Sequence, residues 1–245
     1  MESPPRHIWT SALILALGMA VGGALLGAGF RAGRASDRYV TVKGAVEREV
    51  EANLALWPLQ LVAAANDLGV AQGEARRRVE LARTFLAENG IAPEQVTVQG
   101  FKVTDTQANA YQSGPTANRF IITQTLMVRS EDPHAVLAAS QRVGDLVDAG
   151  VVLISGEEYG PGGPTFLFTR LNDLKPAMLA EATSRAREAA GEFASSSGSR
   201  VGPIRRANQG VFEILPRDPV PGQSEQNQLF KTVRVVATIE YLLDG

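Results

Sequence analysis

Twenty-three consecutive residues without a charge, Ile8 to Phe30 (IWTSALILALGMAVGGALLGAGF), constrain this chain more than any other stretch of it. As a helix they are about 34 Å long, enough to cross a hydrocarbon core of roughly 30 Å. A helix apolar all round at the start of a chain has no core of its own to enter, so lipid suits it. The run is longer than the roughly 7–15 apolar residues of a secretory signal, and RAGRASD at 31–37 offers no small-x-small cleavage site. We therefore expect a single-pass transmembrane signal anchor at 8–30, a cytoplasmic tail at 1–7, a linker at 31–37 and a domain at 38–245. The alternative is cleavage and release. Gly18 with Gly22, and Gly23 with Gly27, have the spacing that lets two such helices approach closely, although membrane helices are rich in glycine in any case.

Flanking charge leaves the orientation open. Arg6 and the amino group oppose Glu2 on one side, while Arg31, Arg34, Arg38 and Lys43 follow on the other. The positive-inside rule taken alone would keep the domain in the cytoplasm, but long domains translocate largely regardless of such charges. Composition narrows the chemistry. There is no Cys, which removes disulfides, thiolate nucleophiles and Cys-ligated metals, and His7 and His134 are too few for a His-rich metal site. Residues 37–245 carry 21 basic and 25 acidic side chains, so nucleic acid is not an expected partner.

Along the domain, Tyr39–Lys43 alternates as a strand that Gly44 is expected to break. Beyond it Val46, Val50, Ala52, Leu54 and Leu56 share one face and Glu47, Glu49 and Glu51 the other, predicting a long strand in which Arg48 marks a bulge. Pro58 removes a ladder donor and predicts a sheet edge or an irregularity. A helix is predicted over Val70–Asn89, with Val79, Leu81, Ala82, Phe85 and Leu86 inward and Gly90 as its left-handed stop. Val96–Thr104, shifted in phase at Gly100, and Arg119–Arg129 form a hairpin across a polar excursion at 109–118. Asp132 and Pro133 suit the start of a helix running to Asp148. A strand over Val151–Tyr159 leads to the turn GPGGP at 160–164. The longest helix, Asn172–Ser196, sets Met178, Ala182, Ala186, Ala189 and Phe193 near one stripe and stops at Gly198. Pro203–Leu215 and Leu229–Leu243 close the domain as strands with a loop at 216–227 between them, Val233, Val235, Ala237, Ile239 and Tyr241 facing one way. Strands arriving mostly as hairpins predict an α+β fold: a mixed or antiparallel sheet with helices packed on one face, preceded by the transmembrane helix.

Four segments carry a family resemblance: RYVTVKGAVEREVEANLALWPLQL (38–61), FLAENGIAPEQVTVQGFKV (85–103), MLAEATSRAREAAGEFASSSGSRVGPIRRANQGVF (178–212) and VRVVATIEYLL (233–243). With the Gly-rich apolar run before them they resemble the SIMPL-domain family, also called DUF541, in order and spacing over residues 38–243. QLVAAAND at 60–67 departs from the family pattern in being less strand-like. The resemblance implies a bacterial envelope or secreted protein, an α+β fold with helices against a sheet, a tendency to oligomerise and a link to oxidative or envelope stress. It also favours a periplasmic domain. It brings no catalytic residues.

The residues themselves offer little chemistry. His134, on the first turn of a predicted helix, has no G-x-S-x-G elbow to serve. Glu157 and Glu158 are adjacent on a strand and point to opposite faces, and Asp145 and Asp148 sit three apart on a helix surface. GPGGP has two prolines where a phosphate loop needs donors. Among the basic runs, Arg76 can reach Glu80 and Arg78 can reach Glu74, and Arg205 and Arg206 are expected to face opposite sides of a strand. No residue is assigned to catalysis, a cofactor or a metal. The expectation is a non-enzymatic membrane-anchored protein of the bacterial inner membrane. Its periplasmic domain acts as a homo-oligomer or binds an unknown envelope protein. The alternative is a periplasmic ligand-binding or catalytic protein with a pocket between helices and sheet.

Overall fold

The computed structural model describes residues 6–35, 38–108, 117–154 and 163–244, with side chains of the first helix described at 14–29. Its elements are α1 (Arg6–Ala35), β1 (Tyr39–Glu51), β2 (Leu54–Ala65), α2 (Leu68–Glu88), β3 (Val96–Asp105), β4 (Phe120–Ser130), α3 (Pro133–Gln141), α4 (Gly144–Asp148), β5 (Val152–Leu153), β6 (Thr165–Leu167), α5 (Leu171–Ser196), β7 (Arg200–Asn208), β8 (Glu213–Pro216) and β9 (Phe230–Asp244). The fold is α+β, as the hairpin order predicts, but the expected single sheet is two antiparallel sheets. One runs β1-β9-β7 with β8 also on β9, the other β3-β4-β2-β5 with β6 also on β2. The division begins at Ala52 and Asn53. The Ala52 amide donates to the Leu229 carbonyl at 2.8 Å, and the Asn53 side chain holds Thr169 through two 2.8 Å hydrogen bonds, so β1 and β2 part instead of pairing. The chain forms two compact units: Met1–Val46, Ala177–Val211 and Val235–Gly245 in the first, Glu47–Pro176 and Phe212–Arg234 in the second.

In the second unit β2 is central. It pairs with β4 along its whole length, and β6 and β5 lie on its other side at Leu54–Leu56 and Leu61–Val62. Pro58 falls in the gap between those two short partners, so its missing donor marks an interruption in pairing, the second of the two expected alternatives, and not an outer edge. One face of this sheet, with Trp57, Leu59, Leu61, Leu126 and Val128, is buried against Val79, Ala82, Phe85 and Leu86 of α2 and Val136 and Ala139 of α3. At these positions the space between helices and sheet is filled by core. Local signals place both helices well. The Asp67 carboxylate accepts from the Val70 amide at 3.0 Å to start α2, and Gly90 follows its end at φ 82°. Asp132 caps α3, accepting from the amides of His134 and Ala135 at 3.1 Å. The helix expected to reach Asp148 is two short ones. β5 is only two residues long, and residues 155–162, with the rest of the strand expected there, lie outside the described residues.

In the first unit β1 continues through Gly44 without interruption. A β-carbon at Gly44 would overlap the Ala182 carbonyl oxygen and stand 2.7 Å from the Ala186 amide, so this glycine lets strand and α5 touch backbone to backbone. The buried stripe of α5 is a strict four-residue repeat, Met178, Ala182, Ala186, Ala190 and Ala194. Ala189 and Phe193, expected in it, are exposed. Ala186 and Ala190 pack on Val40, Val42, Ile239 and Tyr241. Arg48, at the start of the second unit, occupies an inward position of β1 half-buried, in step with the alternation of its neighbours. The strand expected over 203–215 is β7 and β8, parted at Gly210, where φ is 73° and a β-carbon would overlap the Val236 carbonyl oxygen.

α1 carries the apolar run. Ile14, Leu15, Leu17, Met19, Val21, Leu25 and Leu26 are all more than half exposed, and a β-carbon at Gly18, Gly22, Gly23 or Gly27 would meet nothing within 4 Å. Among the described residues no helix is long and apolar enough to cross a membrane. The ends of the expected span, residues 8–13 and Phe30, lie outside the described side chains.

Candidate functional site

β3 forms one end of the second sheet, and among the described residues no strand pairs with its outer side. The register with β4 puts Val98, Phe101 and Val103 opposite Leu126, Gln124 and Ile122, on the face that α2 covers further in. The helix does not reach this far. Val98, Phe101 and Val103 are 46%, 56% and 44% exposed, while Leu126 and Ile122 are buried. The strand is therefore an unpaired backbone edge with an apolar stripe beside it, the arrangement that pairs with another chain. Gln99, bulged between Val98 and Gly100 as the phase shift predicts, and Lys102 limit indiscriminate pairing. The hairpin is closed at its base. The Thr106 amide donates to the Arg119 carbonyl at 2.8 Å, and the Arg119 guanidinium meets Asp105 at 3.0 Å and holds that carboxyl below its ordinary pKa. Most of the excursion beyond it, residues 109–116, lies outside the described residues.

On the opposite face of the same sheet is a concavity of about 590 Å³ lined by Leu56, Thr97, Met127 and Arg129 together with Glu94 and Glu131. Gln95 helps shape it, donating to Ser130 Oγ at 3.0 Å and accepting from the Ala92 amide at 2.9 Å. Its lining carries one guanidinium and two carboxylates, a set that suits a polar ligand. Sequence reasoning missed it because its residues come from segments far apart in the chain.

The residues weighed from sequence are dispersed. His134 Nε2 is hydrogen-bonded to Glu51 Oε1, both side chains exposed. Asp145 pairs with Arg142 at 3.0 Å. Glu157, Glu158 and residues 160–162 of GPGGP lie outside the described residues. Arg78 does not reach Glu74; it folds inward and donates to the Val62 carbonyl, while Arg77 takes Glu74 at 3.7 Å. Arg205 and Arg206 do not face opposite ways, because β7 shifts register between Ile204 and Arg206 and both line one concavity with Tyr39 and Glu240. Among the described residues no group of three or more His, Asp or Glu is placed to hold a metal.

Lys231 was missed. It shares the inward face of β9 with Val233 and Val235, is 2% exposed, and its ammonium donates to the Glu225 carbonyl. Burial pushes its pKa below the ordinary 10.5, with the Glu225 charge opposing. A lowered lysine pKa means that the folded state carries a penalty for the proton at neutral pH, relieved as pH rises from the folded value toward the unfolded one. Lys231→Met is expected to lack that alkaline gain. Urea unfolding of both proteins from neutral pH to beyond 10.5 measures it, and curves that stay parallel would refute it.

No curated protein matches the chain. A crystal structure of a hydrolase from Listeria innocua is similar at 12% identity over 81% of this chain and 91% of that one, with a TM-score of 0.21, a level that carries no argument for fold or activity. The SIMPL family model, described as a protein of unknown function (DUF541), matches residues 40–240. A match of that extent answers the resemblance carried by the four sequence segments: the chain belongs to the SIMPL (DUF541) family.

Proposed function

We propose that this protein is anchored in the bacterial inner membrane by residues 8–30, with its SIMPL domain in the periplasm, and works by association rather than catalysis. It acts as a homo-oligomeric scaffold or binds an envelope protein partner, in defence against oxidative or envelope stress. The observation that carries the reading is the β3 edge, whose outer side no described strand covers and which runs beside exposed Val98, Phe101 and Val103. Such an edge binds through main-chain hydrogen bonds and takes its specificity from alternate side chains.

The test is the mass of the detergent-solubilised full chain. Wild type is expected as a defined multimer, or with a recoverable partner, and Phe101→Glu as a smaller species with affinity reduced about 100-fold, in line with a hot-spot loss of 2 kcal/mol or more. Because Phe101 is 56% exposed, its melting temperature should hardly move. A wild-type monomer at high concentration with no partner recovered from membranes would sink the proposal. A C-terminal alkaline phosphatase fusion reads the compartment, being inactive if the domain faces the cytoplasm.

A further inference from the structure

Charge is unequally divided between the two units. Between Arg38 and Asp244 the first holds seven Arg and Lys against five Asp and Glu, and the second fourteen against nineteen. An acidic domain therefore has a basic part, and that part adjoins the apolar helix. Only residues 36 and 37 separate α1 from Arg38, so the start of β1 at Tyr39 lies within about 14 Å of the helix end by chain length alone.

The rest of that end of the sheet is fixed by pairing. The Leu243 amide donates to the Arg38 carbonyl at 2.9 Å, Arg200 stands opposite Asp244, and the Arg205 guanidinium lies 4.2 Å above the Tyr39 ring. Arg38, Arg200, Arg205 and Arg206 are all exposed. The carboxylates facing them are Asp244 and Glu240, the latter 3.6 Å from Arg205. Tyr39, Arg205, Arg206 and Glu240 line a concavity of about 440 Å³. Beside the cations stand half-exposed Ile204 and Tyr39, the latter an aromatic side chain of the kind that settles at the headgroup level.

We propose that this arginine-rich end of the four-stranded sheet docks on anionic phospholipid headgroups, with a lipid phosphate held in the concavity at Arg205 and Arg206. The inference rests on the membrane-anchored reading and deepens it. Each basic side chain near an anionic surface adds attraction that salt weakens, and arginine binds phosphate through paired donors. Docking also gives Arg38 a role other than setting orientation: it meets lipid phosphate on whichever side the domain lies.

The chain contains no Cys, so Ile204→Cys gives a single labelling site at this surface. The labelled full-length protein is reconstituted in vesicles of phosphatidylcholine, with or without phosphatidylglycerol, and quenching by a headgroup-attached acceptor is read. Quenching is expected to be severalfold greater with phosphatidylglycerol, to fall with added salt, and to be lost in a variant combining Arg38→Gln, Arg200→Gln and Arg206→Gln. Resistance to carbonate extraction with quenching equal in both vesicles overturns headgroup docking and leaves the anchor standing. Extraction by carbonate overturns the anchor, and the docking with it.

Discussion

Replacing Gly44 with alanine should destabilise the domain by about 3 kcal/mol or more, the upper range for overpacking a well-filled site. The added methyl would occupy the space of the Ala182 carbonyl oxygen and crowd the Ala186 amide, and neither is the mobile tip of a side chain. Relief would need α5 to lift away from β1, which would open the contacts of Ala186 and Ala190 with Val40, Val42, Ile239 and Tyr241. The control is Gly73→Ala in α2, where an added β-carbon meets nothing within 4 Å. That change should stabilise by roughly 0.5–1 kcal/mol, because glycine inside a helix is costlier to order than alanine. Urea unfolding of both variants in the full chain measures the pair. Equal stability for Gly44→Ala and wild type would mean that strand and helix are not in backbone contact.

Trp57→Ala should weaken the second unit by about 3–5 kcal/mol, the usual range for truncating a buried aromatic. Trp57 is 2% exposed at the centre of β2, opposite Val128, and belongs to the cluster that includes Leu86, Leu126 and Val136. Strands on one side and a helix on the other hold the space open, so the cavity can collapse only partly. Trp57→Phe keeps most of the apolar area and should lose less than half as much. A loss below about 1 kcal/mol for the alanine variant would show a site that refills, against the close packing drawn here.

What the sequence disclosed was what neighbours along the chain decide. Asp67 and Asp132 cap helices because a short carboxylate there finds the free amides of its own first turn, and Gly90 and Gly198 accept positive φ after the helices end. The alternation of β9 and the phase shift at Gly100 are equally local. What remained hidden is decided by atoms remote in sequence. Gly44 looks like a strand breaker until α5 lies against it, 138 residues on at Ala182. Pro58 looks like an edge marker until the two short strands that leave room for it are in place. The inward alanines of α5 follow a four-residue repeat set by the sheet beneath, so Ala190 and Ala194 replace Ala189 and Phe193. Lys231 and Arg78 are charged residues that pattern assigns to solvent, yet each bends to a backbone carbonyl. The β3 edge was half visible, its hairpin clear from the turn residues, its exposure dependent on where α2 stops.

Neither compact unit is a continuous piece of sequence, and that bears on how the protein is made. The second unit has all of its residues once synthesis passes Arg234, whereas the first waits for Val235–Gly245. The strand that pairs with both β1 and β7 is thus synthesised after every other described strand, although β1 follows the apolar helix closely in the chain. Until it arrives, β1 and β7 hold open hydrogen-bonding edges, the condition in which chains pair wrongly. The emerging protein therefore depends most on protection from its neighbours until β9 has been made, and a stop just after Val235 would leave the first unit without most of the strand that closes it.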